Sequence, residues 1–276
     1  MKVSIVTDST SDLPSSVAEE LEIAVVPVSV QFGDRVYKDG IDISTDTFYE
    51  MLKTNPVLPK TSAPSIGTFE EVYREVSQKC DAIVSIHIAS KLSATYDSAR
   101  LACSNINFPI SVIDSETASM ACGLLAITAA KAAIDGANTV EIERHLRDRI
   151  PRTITYGVFS TLDYLLKGGR IGRAQAFVGS LLKISPILAI RNGDVLPVAR
   201  IRTRSKAIDR LCDIVRELGE IEALSVMRTT TPEDAEDLVN RLSPLFPAEK
   251  IYRTSIGPAI ATYIGPDAVG ISVMWK

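Results

Sequence analysis

The sequence predicts an α/β protein of two α/β domains, an N-terminal parallel sheet followed by a C-terminal mixed sheet. Three observations carry that reading. Strand-length apolar runs rich in β-branched residues alternate with helical segments along the whole chain. In the first half these runs are apolar throughout rather than alternating, as in a parallel sheet covered on both faces. In the second half, Asn192-Gly193-Asp194 separates two apolar runs and reads as a hairpin turn, which puts an antiparallel pair into the rhythm. The change of pattern falls near Pro151, so the expected domains are residues 1–151 and 152–276.

Taken in order, Lys2 to Thr7 is the first strand, followed by the polar loop Asp8-Ser9-Thr10-Ser11-Asp12 and a helix opened by Pro14, whose missing N–H costs nothing there. Ile23 to Val30 reads as a strand broken by Pro27, with a hairpin-like turn at Gly33-Asp34. Thr47 to Leu52 is helical, and Pro56, Pro59 and Pro64 mark a loop. A helix over Phe69 to Ser77, the strand Ala82 to Ile88, a helix over Ser93 to Cys103 and the strand Ile110 to Asp114 continue the βα pattern. An Ala-rich helix from Ala118 to Ile134 stops at Gly136, and Thr139 to Arg149 forms the next. Beyond Pro151 come the strand Thr153 to Phe159, two helices around Gly168-Gly169, and the hairpin of Ile184 to Ile190 with Val195 to Ile201. The helix Ser205 to Leu218, the strand Ala223 to Met227, the helix Pro232 to Arg241 and the strands Ile251 to Thr254 and Ala268 to Met274 complete the chain.

Composition narrows the function. With 276 residues, 46% of them hydrophobic, the chain can bury a large core. A net charge of −4 with scattered basic residues argues against nucleic acid as the partner, since duplex binding needs a concentrated basic face. No run approaches the roughly 18 apolar residues of a membrane span, and the N-terminal apolar run is too short for a signal peptide. The four cysteines form no C-x-x-C pair and read as reduced, buried thiols. These features predict a cytoplasmic protein.

Catalytic signatures are sparse. Only two histidines occur, His87 and His145, without metal-ligand spacing, and neither a G-x-S-x-G elbow nor a phosphate-binding G-x-x-x-x-G-K-[ST] loop is found. His145, among Glu141, Glu143, Arg144 and Arg147, reads as a surface residue, and His87 as a structural one within its strand. Hydroxyl-rich junctions stand out instead: residues 8–12, Thr61-Ser62-Ala63-Pro64-Ser65, Ser90 to Tyr96, and Asp114-Ser115. Each alone is ordinary helix capping. Together, at the carboxyl ends of parallel strands, they describe a polar crevice suited to a small anionic ligand.

Three further segments stand out. Thr161 to Arg173 contains a helix break at Gly168-Gly169 with Arg170 held beside it, either a plain cap or a cation set for an anion or a partner's carboxylate. The apolar stretch Ala174 to Leu182 suits a helix lining a cavity or lying in the core. Arg200 to Lys206 is the one concentrated basic patch, either a solvated edge or a docking surface, and Ile256 to Pro266, bracketed by Gly-Pro, reads as a tight binding loop.

Several of these stretches, in this order, resemble the DegV family of bacterial fatty-acid-binding proteins: Val6 to Pro14 (VTDSTSDLP), Thr61 to Ser65 (TSAPS), Leu92 to Ala99 (LSATYDSA), Asp114-Ser115, Leu162 to Gly172 (LDYLLKGGRIG) and Ile256 to Pro266. The resemblance implies two α/β domains with an acyl chain in a tunnel between them, and a carrier with no catalytic residue, metal or cofactor of its own. The fatty-acid carboxyl group would be held by Thr61, Ser62, Ser93 and Thr95, with Thr262 and Tyr263 in the closing loop. The implied partners are a long-chain fatty acid and a fatty acid kinase that makes acyl phosphate, with Arg170 and Arg202 facing the kinase, no nucleic acid, and at most transient membrane contact. The chain carries Tyr263 where the family has histidine, Asp267 for glycine, and Ala94 and Ala63 for the glycine and glutamine of the two hydroxyl motifs. Two other readings stay open at this point: a Ser93-dependent acyl hydrolase or transferase using His87 as base, and a lipid-responsive regulator.

Overall fold

A computed structural model describes residues 1–178 and 184–276. The parallel sheet of the first half comprises β1 (Val3–Asp8), β2 (Ala24–Val26), β6 (Ala82–His87) and β7 (Ile110–Asp114) in the order β2-β1-β6-β7. Strand β6 is buried at every position, as a strand covered on both faces must be. One face takes α3 (Ile66–Ser77) and α4 (Thr95–Ser104), whose Phe69, Tyr73, Ala99 and Ala102 pack on Val6, Val26 and Ile83. The other takes α5 (Met120–Ile134) and α6 (Thr139–Arg149) against Val3, Ile5, Val84 and Ile86. The short α1 (Ser15–Glu20) links β1 to β2, and α2 (Thr45–Thr54) packs its Phe48 and Tyr49 with Ala261.

The second sheet runs β10 (Asp194–Ile201), β9 (Ser185–Arg191), β8 (Thr153–Val158), β13 (Val269–Trp275), β11 (Ile221–Arg228), β12 (Tyr252–Ser255). Its pairs are antiparallel except β11 with β12, so it is mixed, as the hairpin signal predicts. That hairpin turns through Asn192 at φ +53° and Gly193 at φ +73°, the left-handed pair that a two-residue turn between twisted strands requires. Helices α8 (Arg204–Glu217) and α9 (Pro232–Leu242) bury their apolar faces on Ile154, Val158, Leu224, Val226, Ile271 and Val273. Side-chain alternation turns Thr155, Gly157, Gly270 and Ser272 to the opposite, inner face.

Helix α5 lies between the two sheets and contacts β1 and β6 on one side, β8, β11 and β13 on the other. This explains why an Ala-rich helix is buried almost all round. Its Gly123 permits close approach: a Cβ there would lie 2.9 Å from Ser11 O and 2.9 Å from Met120 Sδ. The remaining short helices, α7 (Asp163–Lys167) and α10 (Pro258–Ile264), pack on one another.

The structure corrects the sequence reading in five places. Ile23 to Val30 is two strands in different sheets, because Pro27 has no N–H to continue the ladder. After it, β3 (Ser29–Phe32) joins β4 (Arg35–Lys38) and β5 (Lys60–Ser62) in a separate antiparallel sheet. The proline-rich stretch therefore contains a strand, β5, and Thr61 sits opposite Val30 rather than at the end of a parallel strand. Ile256 to Pro266 is not a loop but holds α10, opened by Pro258 and closed by Gly265 at φ +71°. In the apolar stretch 174–182, Gly172–Phe177 form a 3₁₀ helix, and residues 179–183 lie outside the described residues. All four cysteines are unpaired, but only Cys122 and Cys212 are buried.

Candidate functional site

Three adjoining hollows run outward from the inner face of the mixed sheet, each sharing residues with the next. The innermost is apolar and narrow, a cavity of about 70 Å³. Its floor includes Gly157 and Gly270, direct cross-strand partners. A Cβ on Gly270 would fall 2.4 Å from Tyr156 O, and one on Gly157 2.7 Å from the Phe159 ring. The missing side chains let the Tyr156 carbonyl and the Phe159 ring come close at the middle of the sheet. Ser119 and Thr155 also line this hollow, yet their hydroxyls are turned into bonds with Asp12 and with Ala118 O.

The second hollow shares Ala118, Leu165, Ile190, Val195, Ile260 and Ile264 with the first and continues it toward the surface. Here the lining turns polar, through Thr10, Thr61, Ser93, Arg170 and Tyr263. The third, an outer depression of about 300 Å³, shares Thr61, Arg170 and Tyr263 and adds Lys60, Lys167 and Thr262.

The predicted site residues distribute unequally. Thr61, in the middle of β5, is half-buried, and its Oγ1 lies 2.6 Å from the Tyr263 hydroxyl at the other end of the chain. Ser62, next along the strand, is exposed on the opposite face and lines none of the three hollows. Ser93 Oγ lies 2.8 Å from Thr95 Oγ1 and accepts the Thr95 N–H at 3.3 Å; Thr95 itself is fully buried. Thr262 is buried and returns its hydroxyl to Pro258 O at 2.9 Å within α10, so it flanks the outer depression only. Arg202 is exposed just past β10, away from all three hollows.

Tyr263 is held by the Gly168-Gly169-Arg170 break. A Cβ on Gly168 would sit 2.4 Å from Tyr263 Cδ1, so glycine alone lets the ring lie there. Gly169 turns the chain at φ +72°. Arg170 then returns over the other part of the ring, its Cζ 4.7 Å from the centroid, with its guanidinium bonded to Gly168 O at 2.8 Å and Leu92 O at 3.4 Å.

Behind the hollow runs a buried polar chain that the sequence reading did not assemble. Tyr73 donates to Ser85 at 2.9 Å, and Ser85 Oγ lies 2.6 Å from His87 Nε2. His87 Nδ1 lies 2.9 Å from Asp8 Oδ2, which also accepts Ile88 N–H at 3.3 Å. Asp8 Oδ1 takes the Thr10 N–H at 3.0 Å and the Thr10 hydroxyl. Both ring nitrogens of His87 are thus engaged in a fully buried site. The structure does not bring His87 to Ser93, whose hydroxyl partner is Thr95.

A buried pair of aspartates, Asp12 and Asp39, fixes α10. Asp12 Oδ1 accepts Gly257 N–H at 2.8 Å, and Asp39 Oδ2 accepts Ala259 N–H at 3.2 Å. Burial pushes the Asp39 carboxyl up to about 6 and Asp12 well above the usual carboxylate range, against the lowering effect of these hydrogen bonds and those from Ser9 and Ser119.

Among the described residues, no three or more His, Cys, Asp or Glu side chains group as metal ligands, and no helix is long and apolar enough to cross a membrane.

Comparison with known proteins gives a consistent picture. A family model described as "Uncharacterised protein, DegV family" matches residues 2–276. The chain is 35% identical to Protein DegV of Bacillus subtilis over 281 aligned positions, covering 100% of both. Among solved structures, a DegV family protein of Thermus thermophilus described for its fatty acid binding superposes with a TM-score of 0.94 at 29% identity, over 100% of each chain. DegV of Bacillus subtilis, described as a fatty acid binding protein, superposes at 0.90 with 33% identity, again over 100% of each.

Proposed function

The chain belongs to the DegV family, and from that premise we propose that it is a carrier that buries one long-chain fatty acid and presents its carboxyl group to a partner fatty acid kinase. The observation that carries the reading is the continuity of the narrow apolar hollow with the hydroxyl-lined one through six shared aliphatic residues. The hydrocarbon would occupy the first and the carboxyl group the second, beside Thr61, Tyr263 and Ser93. Each buried methylene contributes about 0.8 kcal/mol, so affinity comes from the chain and the hydroxyls fix its end. The hollow is lined from both sides of Pro151, which fits a ligand held where residues 1–151 meet 152–276.

Among the described residues Ser93 has no histidine beside it, and its hydroxyl meets Thr95. That favours a carrier over an acyl hydrolase or transferase, working without metal or cofactor. The outer depression supports presentation to a partner: Arg170, Lys60 and Lys167 surround it, cations suited to a developing acyl phosphate and to an acidic partner surface.

The test is organic extraction of the purified protein and mass spectrometry of the extract, beside Ser93→Ala and Thr61→Ala. A stoichiometric fatty acid, reduced in both variants, is the expected result; an empty wild-type extract would sink the reading. Incubating the loaded protein with ATP and a bacterial fatty acid kinase should yield acyl phosphate, more slowly with Arg170→Ala.

A further inference from the structure

Thr10 lines the head-group hollow without being one of the hydroxyls expected to hold the carboxyl group, and its hydrogen bonding is one-sided. A threonine hydroxyl has one proton and two lone pairs. That proton is committed to Asp8 Oδ1, which also takes the Thr10 N–H. Asp8 is held in turn by His87 Nδ1 and Ile88 N–H, and His87 by Ser85 and Tyr73, every link buried. Toward the ligand, Thr10 therefore offers only a lone pair.

The other hydroxyls behave differently. In the Thr61–Tyr263 pair one proton bridges the two oxygens and the other is left to donate. In the Ser93–Thr95 pair only Ser93 lines the hollow, and it has a proton to offer when the Thr95 hydroxyl makes the bridge. The wall thus presents one hydroxyl fixed as an acceptor, Thr10, among others that can donate. A protonated carboxyl group matches this set: its carbonyl oxygen accepts two hydrogen bonds and its O–H donates one to Thr10. A carboxylate has nothing to donate and would face the Thr10 lone pair with the Asp8 carboxyl group behind it.

The charged and titratable groups around the hollow do not reverse this. Arg170 lines this hollow at the end it shares with the outer depression, where it is stacked on Tyr263 and two of its N–H groups are bonded to carbonyls. Lys60, Lys167 and Tyr164 line the outer depression, not this hollow. Asp12 and Asp39 face the N-terminal end of α10 and add no positive charge. Building on the fatty-acid reading above, we infer that the head-group hollow binds the fatty acid in its protonated form, with Thr10 accepting the acid proton.

Binding is then linked to proton uptake. A free carboxyl group is mostly ionised above about pH 5, so affinity for an acid ligand should fall about tenfold for each pH unit between 6 and 8. The experiment measures the Kd of the delipidated, intact protein for dodecanoic acid and dodecan-1-ol across that range. Dodecanol cannot ionise, and its affinity reports any titration of the protein itself, Asp39 included. The expected result is a roughly tenfold loss per pH unit for the acid relative to the alcohol. Thr10→Val should flatten that slope, and Thr10→Ser should restore it. An acid affinity that tracks the alcohol at every pH would overturn the inference, with the carboxylate held by Arg170. If neither ligand binds, the fatty-acid reading itself falls.

Discussion

The wall of the head-group hollow contributed by the segments that follow β1 and β6 is held from behind, whereas the wall contributed by α10 is held from its ends. In the first, every polar group has its partner inside the protein: Tyr73, Ser85, His87, Asp8 and Thr10 form one continuous buried chain. In the second, Tyr263 is half-buried, positioned by a glycine beneath it, an arginine over it and one hydroxyl contact. Its helix is anchored through Asp12 and Asp39, carboxyl groups whose burial outweighs their hydrogen bonds. The difference teaches a division of labour. A fixed wall sets the geometry of the hollow, and on the carrier reading proposed above the wall with few, separable attachments is the one expected to open for the acyl chain.

The strongest way to break this comparison is at the fixed wall. His87→Ala removes a fully buried ring and one of the donors to Asp8. Loss of a buried ring and of a buried polar partner predicts about 3–5 kcal/mol of destabilisation. Urea unfolding at constant pH measures it, and a loss below about 1 kcal/mol would mean that the chain is not what holds the wall.

The anchorage of the other wall is open to a pH test. Asp39 has its carboxyl raised from 3.8 to about 6 in the folded protein. The folded state therefore binds more protons than the unfolded one in that interval, so this group's contribution falls as pH rises from about 4 through 6. The shift corresponds to up to about 3 kcal/mol. Relative to Asp39→Asn, the wild type should lose stability between pH 4 and 8 by that order. A constant difference between the two proteins would show that Asp39 is not strained at neutral pH and that α10 is held as firmly as β1.

How far the sequence foretold the two walls differs for the same physical reasons. Apolar β-branched runs announced β1, β6 and β7, and the hydroxyl-rich loops after them announced Thr10 and Ser93. The partners of Asp8 did not show, since His87 lies 79 positions away and meets it only through sheet pairing. Helix α10 is seven residues long with Gly-Pro at each end, a pattern that reads equally as a tight loop. Strand β5 has three residues among prolines, and only its pairing with β3 turns Thr61 inward and Ser62 outward. Gly157 and Gly270 did carry a signal, as glycines inside strands mark close approach. Neither alone reveals that they face each other across the floor of the hollow.

The smallest expected effect separates the two glycines of the break. A Cβ on Gly168 would lie 2.4 Å and 2.8 Å from the Tyr263 ring and 3.0 Å from Tyr164 O. Gly168→Ala must therefore push the ring aside, and with it the Thr61 contact. One neutral hydrogen bond is worth about 1 kcal/mol, or roughly fivefold in fatty-acid affinity. Gly169 has open space around its Cα but sits at φ +72°. Gly169→Ala should cost about 1 kcal/mol of stability through backbone strain and leave affinity unchanged. Titration of each variant with a fluorescent fatty acid, beside its thermal unfolding, distinguishes the two effects. If both variants lose affinity alike, the backbone turn rather than the ring places Tyr263, and the α10 wall is fixed by the main chain as the β1 wall is by its buried side chains.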